Sequence, residues 1–300
     1  MFDYLSLFNE AQGRAIYPTP IVGAVGLLED AEARLTMAFQ RDGDAILLGE
    51  ANVLPEENTQ YFGDEGDRIH LMFNFYVNQY VFYALATSDV KPLIKALEAT
   101  RLQFHTSQWA QFLRNHDELD LGRLTEEHRQ RVFERFGPEK TMQIYDRGIR
   151  RRLAPMLGNR PQSELAYSLL VSLPGTPVIR YGDEIGIGDN LSLKERNAVR
   201  TPMQWSSERN AGFTAAEKPD RPVIDSGPYS YHEISVEKQR RDPDSILNWT
   251  VKMIRLRKEC PEIGWGEWTS LPTRSHQVIA ICYEWRGRAV VVVHNVSSHP

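Results

Sequence analysis

Trp109-Ala110-Gln111-Phe112-Leu113-Arg114-Asn115-His116-Asp117-Glu118 runs from an apolar stretch straight into amide, imidazole and acid. This reads as a buried strand whose C-terminal end carries polar chemistry, the place where (βα)8 enzymes hold their catalytic groups. A loop of solvated polar residues is the plainer reading of any single junction, but the arrangement recurs. Ala45-Ile46-Leu47-Leu48-Gly49 leads into Glu50-Ala51-Asn52, and Pro177-Val178-Ile179-Arg180-Tyr181 leads into Gly182-Asp183-Glu184. Short continuous apolar runs bounded by turn residues fit strands buried on both faces, as in parallel sheets. Ile69 to Phe75, inside the stretch Asp67 to Tyr76, reads as a fourth strand.

Helical patterns lie between these runs. Val90 to Arg101 places Leu93, Ile94, Ala96 and Leu97 at helical spacing. Ser163 to Leu173 does the same with Leu165, Ala166, Leu169 and Leu170, and stops at Pro174-Gly175. Strands alternating with helices predict βα units around a parallel sheet.

The composition is that of an ordinary soluble globular chain: 41% hydrophobic and 25% charged over 300 residues. A net charge of -5 argues against nucleic acid as a partner. Arg147, Arg150, Arg151 and Arg152 form a local basic cluster, read as a solvated helix face rather than a phosphate site. Cys260 and Cys282 make neither a disulfide framework nor a metal set, so a reducing, cytoplasmic location is expected. No apolar run approaches the ~18 residues of a membrane span, and no signal peptide is read at the N-terminus. No membrane partner is expected.

Two carboxylates across a cleft can cleave or transfer a glycosidic bond, one protonating the leaving oxygen while the other attacks or assists. Glu50, at the end of an apolar strand, is expected to be partly desolvated, which would raise its pKa and suit it to acid work. An acid opposing a helix dipole is an equally good reading of Glu50 alone. Asp117, beside Asn115 and His116, is expected to stay ionised while its neighbours hydrogen-bond sugar hydroxyls. Nucleophile elbows and phosphate loops are not found.

Five motifs in order carry a resemblance: Leu48 to Glu56 (LGEANVLPE), Met72 to Phe75 (MFNF), Phe112 to Gly122 (FLRNHDELDLG), Pro174 to Gly186 (PGTPVIRYGDEIG) and Val199 to Trp205 (VRTPMQW). From about residue 44 onward the chain resembles glycoside hydrolase family 13, the α-amylase family, and most closely its trehalose synthase (maltose α-D-glucosyltransferase) branch. The resemblance implies the second half of a (βα)8 TIM barrel, strands 5–8, followed by an incomplete all-β C-terminal domain. By the same resemblance Glu50 is the catalytic acid/base and Asp117 the catalytic group that favours the transition state. His116, Asn115 and Arg200 are the implied substrate-binding residues, with maltose or another α-glucoside as the partner. The implied activity converts maltose to trehalose by retaining intramolecular transglucosylation, or hydrolyses α-glucosides. Asp183 and Glu184 are expected at the pocket edge in structural roles. Trp205 is read equally as a sugar platform and as packing. Val278 to Tyr283 and Ala289 to His294 alternate like strands of the C-terminal β-domain.

The chain also departs from this pattern. The nucleophile that the family carries is an aspartate in a Gly-x-Arg-x-Asp context. Of Asp3, Asp30, Asp42 and Asp44, none has that context. The first four barrel strands and the usual calcium ligands are not found either; no cofactor is expected in this chain, although calcium occurs in the full-length family. Ser6 to Glu10 (SLFNE), Gly13 to Pro20 (GRAIYPTP) and Ile21 to Asp30 (IVGAVGLLED) instead resemble an internal piece of phosphoribosylformylglycinamidine synthase, with a helix expected over Ala31 to Gln40. The expected organisation is therefore a chimera: 1–43 a foreign, purine-synthase-like α/β segment, 44–262 the C-terminal half of the catalytic barrel, and 263–300 the start of the β-domain. Such a chain is expected to be inactive or severely impaired, and to self-associate through open barrel edges. The alternative is a non-catalytic fragment with at most weak sugar binding. A purine biosynthetic enzyme is the least supported reading.

Overall fold

The computed structural model describes residues 10–11, 14–15, 46–103 and 106–297. The helix expected over 31–40 lies outside the described residues. So does the 1–43 segment, apart from an antiparallel pairing of β1 (Glu10–Ala11) with β2 (Arg14–Ala15). Along the chain follow β3 (Leu48–Gly49), α1 (Asn58–Phe62), β4 (Leu71–Phe73), α2 (Phe75–Thr87), α3 (Lys91–Ala99) and β5 (Gln108–Phe112). Next come β6 (Leu119–Asp120), α4 (Glu126–Phe136), β7 (Gln143–Ile144), β8 (Gly148–Ile149), α5 (Leu153–Leu157), α6 (Arg160–Ser172) and β9 (Thr176–Val178). The last are α7 (Val236–Arg241), α8 (Ile246–Glu259), α9 (Pro261–Trp265), β10 (Glu267–Leu271), β11 (Val278–Trp285) and β12 (Arg288–Asn295).

The four apolar runs become one sheet in the order β3-β4-β5-β9, every neighbour parallel. Strands that are parallel and sequential put all their C-terminal ends on one side. Glu50, Asn74 and the Arg114 to Glu118 segment therefore emerge together. The fourth run is shorter than expected. It pairs only over Leu71–Phe73, because Asn74 already caps α2, its side-chain oxygen accepting from Val77 N at 2.9 Å. Asn78 on α2 then donates to the carbonyls of Phe112 at 2.6 Å and Leu113 at 3.0 Å, fixing the exit of β5.

Helices α2, α3, α4 and α6 bury Val81, Phe82, Leu93, Leu97, Phe133, Ala166 and Leu170 in one core. That core continues into the antiparallel sheet β10-β11-β12 through Ile279, Ile281 and Tyr283. The two strands expected near the C-terminus are β11 and β12, paired from Val278↔Asn295 to Trp285↔Arg288. The sheet is tied to the helices by polar contacts as well. Tyr283 donates its hydroxyl to the Ser172 carbonyl, and Arg101 lies 3.6 Å over the Trp268 ring. Gly175 is required where α6 turns into β9. Its φ is +115°, and a Cβ there would come within 2.4 Å of the Trp109 carbonyl oxygen.

The basic cluster is not a solvated helix face. Arg147 lies in the turn of the β7–β8 hairpin, Arg150 follows β8, and Arg151 and Arg152 lead into α5. Arg150 donates to the carbonyls of Thr141, Leu191 and Leu193, and Arg151 pairs with Asp189 at 2.9 Å. Arg152 is 0% exposed and pairs with buried Asp183 at 2.8 Å. Charges read as solvated are here spent on pinning loops, because their partners lie far along the chain.

Candidate active site

The loop after β5 is held by its own backbone. Asn115 Oδ1 accepts from Asp117 N at 3.0 Å, a two-residue Asx link that turns the chain at once. Arg114 turns inward and donates to the Asp117 carbonyl at 2.6 Å and to the Arg151 carbonyl at 3.0 Å. That leaves His116 and Asp117 facing outward at the strand end.

The structure brings Glu50, Asn115, His116, Asp117 and Arg200 together. The His116 ring stands between the two carboxylates: Nδ1 is 3.8 Å from Glu50 Oε1, and Nε2 is 3.7 Å from Asp117 Oδ1. Asn115 Nδ2 faces the same Glu50 oxygen at 3.5 Å. Arg200 donates from Nη2 to Asp117 Oδ1 at 2.6 Å and from Nε to the His116 carbonyl at 3.0 Å. The second Asp117 oxygen is taken by Arg196, Nη1 at 3.0 Å. The Asp117 side chain is only 21% exposed, so both cations meet it in a partly desolvated setting where charge-assisted hydrogen bonds are strong.

Glu50 departs from expectation. Its side chain is 44% exposed rather than desolvated. It follows β3, which pairs only with β4 among the described residues, and nothing described covers its other side.

Arg196 was not expected in the site. It grips Glu118 with Nε at 2.6 Å and Nη2 at 3.1 Å, and that carboxylate pushes the guanidinium pKa further above its ordinary value. The only local signal was its position, four residues before Arg200. Tyr145, at the tip of the β7–β8 hairpin, lies 5.5 Å from the same guanidinium. Asp183 is buried against Arg152, and burial raises the pKa of neighbouring Glu184. Trp205 is exposed, outside the core.

The arrangement can hold a polyhydroxylated ligand between carboxylates, an imidazole and two guanidinium groups. The alpha amylase, catalytic domain family matches residues 31–266. The chain belongs to the α-amylase catalytic-domain family. Its match begins upstream of residue 44, inside the stretch expected to be foreign, and ends just before β10. The chain is 45% identical over 258 residues to trehalose synthase of Thermus thermophilus, covering 85% of this chain and 27% of that protein. It is 40% identical over 271 residues to trehalose synthase/amylase TreS of Mycolicibacterium smegmatis, covering 85% and 45%. Among solved structures, an α-amylase from H. orenii superposes with a TM-score of 0.60 at 22% identity, covering 85% of this chain and 44% of that one. The chain thus spans from about a quarter to less than half the length of these proteins. The α-amylase fold is the one observed: a parallel sheet with helices and a C-terminal antiparallel β region.

Among the described residues of this α-amylase-family chain, no group of three or more His, Cys, Asp or Glu side chains is placed to hold a metal ion. No helix among the described residues is long and apolar enough to cross a membrane.

Proposed function

We propose that this chain carries the acid/base half of a retaining α-glucoside site, with maltose as substrate and trehalose as the product of the complete reaction. The sheet β3-β4-β5-β9 is assigned as barrel strands 5–8. Glu50 is the acid/base, protonating the glycosidic oxygen as the bond breaks and then deprotonating the incoming hydroxyl. Asp117 accepts hydrogen bonds from the hydroxyls of the reacting glucose, favouring its ring distortion toward an oxocarbenium-like state. Asn115, His116 and Arg200 fix the ring and hold Asp117. The observation that carries this reading is the His116 ring standing between Glu50 and Asp117, with Arg200 on the Asp117 oxygen that faces His116 and Arg196 on the other.

Residues 1–49 offer no aspartate in the nucleophile context, so we assign this chain at most a residual rate. Loss of a nucleophile acting with its partners costs several orders of magnitude in turnover. The exposure of Glu50 and the motifs of residues 6–30 favour a second reading, a chimeric fragment that binds sugar weakly without turning it over. In both readings β3 and β9, the edge strands of this sheet among the described residues, favour self-association.

Incubation of the purified chain with maltose, with the products resolved by chromatography, tests the assignment. Trehalose marks the isomerising branch and glucose alone marks hydrolysis. Turnover at ordinary enzyme rates would contradict the residual-rate assignment.

A further inference from the structure

We propose that Arg180 is a positioning residue for this site, locking the loop of Asn115, His116 and Asp117 to the loop that presents Arg200. This deepens the α-glucoside reading and rests on it for the chemistry served, though not for the brace itself.

Arg180 lies two residues beyond β9 and is buried. Its Nη1 donates to the Asn115 carbonyl at 2.6 Å, and its Nη2 donates to the Val199 carbonyl. Asn115 immediately precedes His116, and Val199 immediately precedes Arg200. One rigid guanidinium plane therefore ties together the two backbones whose side chains meet at the Asp117–Arg200 pair.

The setting is a poor one for a charge kept only for stability. Arg114 and Arg152 are buried nearby, and burial together with Arg152 pushes the Arg180 pKa down to about 10. Its Nε finds no partner. Desolvating a buried charge is costly unless its interactions offset the loss of water. What an apolar side chain cannot do is donate to two carbonyls at once. Lysine cannot do so with fixed geometry either, because its ammonium is a point charge on a flexible stem.

The test compares wild type with R180M, R180K and a control, R257M. Arg257 also donates to two carbonyls, Val171 at 2.6 Å and Gly175 at 2.7 Å, but on the side away from the site. Amide exchange is followed by mass spectrometry, and maltose affinity by titration. Both methionine variants are expected to lower the melting temperature. Only the Arg180 variants should lose exchange protection, by about tenfold, in 114–118 and 197–203 together while α3 keeps its own. Maltose affinity should fall by about tenfold in R180M, in line with losing one charged hydrogen bond, and R180K should restore little of it. Protection lost uniformly, or lost equally in R257M, would overturn the proposal. Full recovery in R180K would overturn it too. Should R180M fail to fold, R180K keeps the charge and carries the test. A wild-type chain that binds no maltose would sink the functional reading, while the exchange pattern would still judge the brace.

Discussion

Arg200 places Nη2 2.6 Å from Asp117 Oδ1 while its Nε donates to the His116 carbonyl at 3.0 Å. One side chain thus fixes both the carboxylate of Asp117 and the backbone beneath His116. Replacing Arg200 by alanine is expected to weaken glucose binding by about tenfold to a hundredfold, the worth of a charged hydrogen bond. R200K should recover little, since the fork is lost. Saturation-transfer NMR with glucose checks this, and unaltered binding in R200A would remove Arg200 from the sugar site.

Arg152 and Asp183 form a fully buried pair beneath the same loops. Removing one partner strands the other. R152M is expected to destabilise the chain by about 3–5 kcal/mol in urea unfolding, with the double variant R152M/D183L recovering much of that loss. A double variant no more stable than R152M would show that the surviving Asp183 charge is not the source of the cost.

His294 is held by Ser168 at 3.0 Å in the seam between α6 and the C-terminal sheet. Burial pushes its pKa from 6.5 down to about 4. The unfolded chain therefore binds a proton between those values that the folded chain refuses. Stability is complete above about pH 6.5 and falls as pH drops toward 4, by an amount on the order of 3 kcal/mol. Chemical unfolding at pH 7.5, 6, 5 and 4.5 should show this slope, and H294Q should flatten it. Equal slopes in both chains would assign the effect elsewhere.

β3 and β9 are the edges of the parallel sheet among the described residues. Unpaired strand edges template further pairing. Sedimentation velocity is expected to show concentration-dependent association that L48K reduces. A compact monomer at all concentrations would contradict it.

The parallel sheet was legible because short, mostly apolar runs such as Ala45 to Leu48 and Trp109 to Leu113 stop abruptly at polar or turn residues. The helix α2 was not. Its buried positions include Val77, Asn78, Gln79, Val81, Phe82 and Ala84, so polar and apolar residues are covered together and no clean stripe remains. Asn115, His116 and Asp117 were readable as a strand end, since strand and acid are adjacent in sequence. Arg200 entered through its motif, but the roles of Arg196 and Arg152 were not readable, because pairing is a property of the fold. Arg196 meets Glu118 across 78 residues, and Arg152 meets Asp183 across 31. Glu50 was expected to be desolvated by its own strand, but desolvation depends on what lies across the strand, which no local pattern encodes.

The most direct test is calorimetric titration of maltose into the purified chain and into its Asp117→Ala variant, both verified as folded. Saturable binding by the parent chain, lost by tenfold or more in D117A, is the predicted result. A folded parent chain that binds no maltose, or D117A binding undiminished, would contradict the assignment of this strand end as an α-glucoside site.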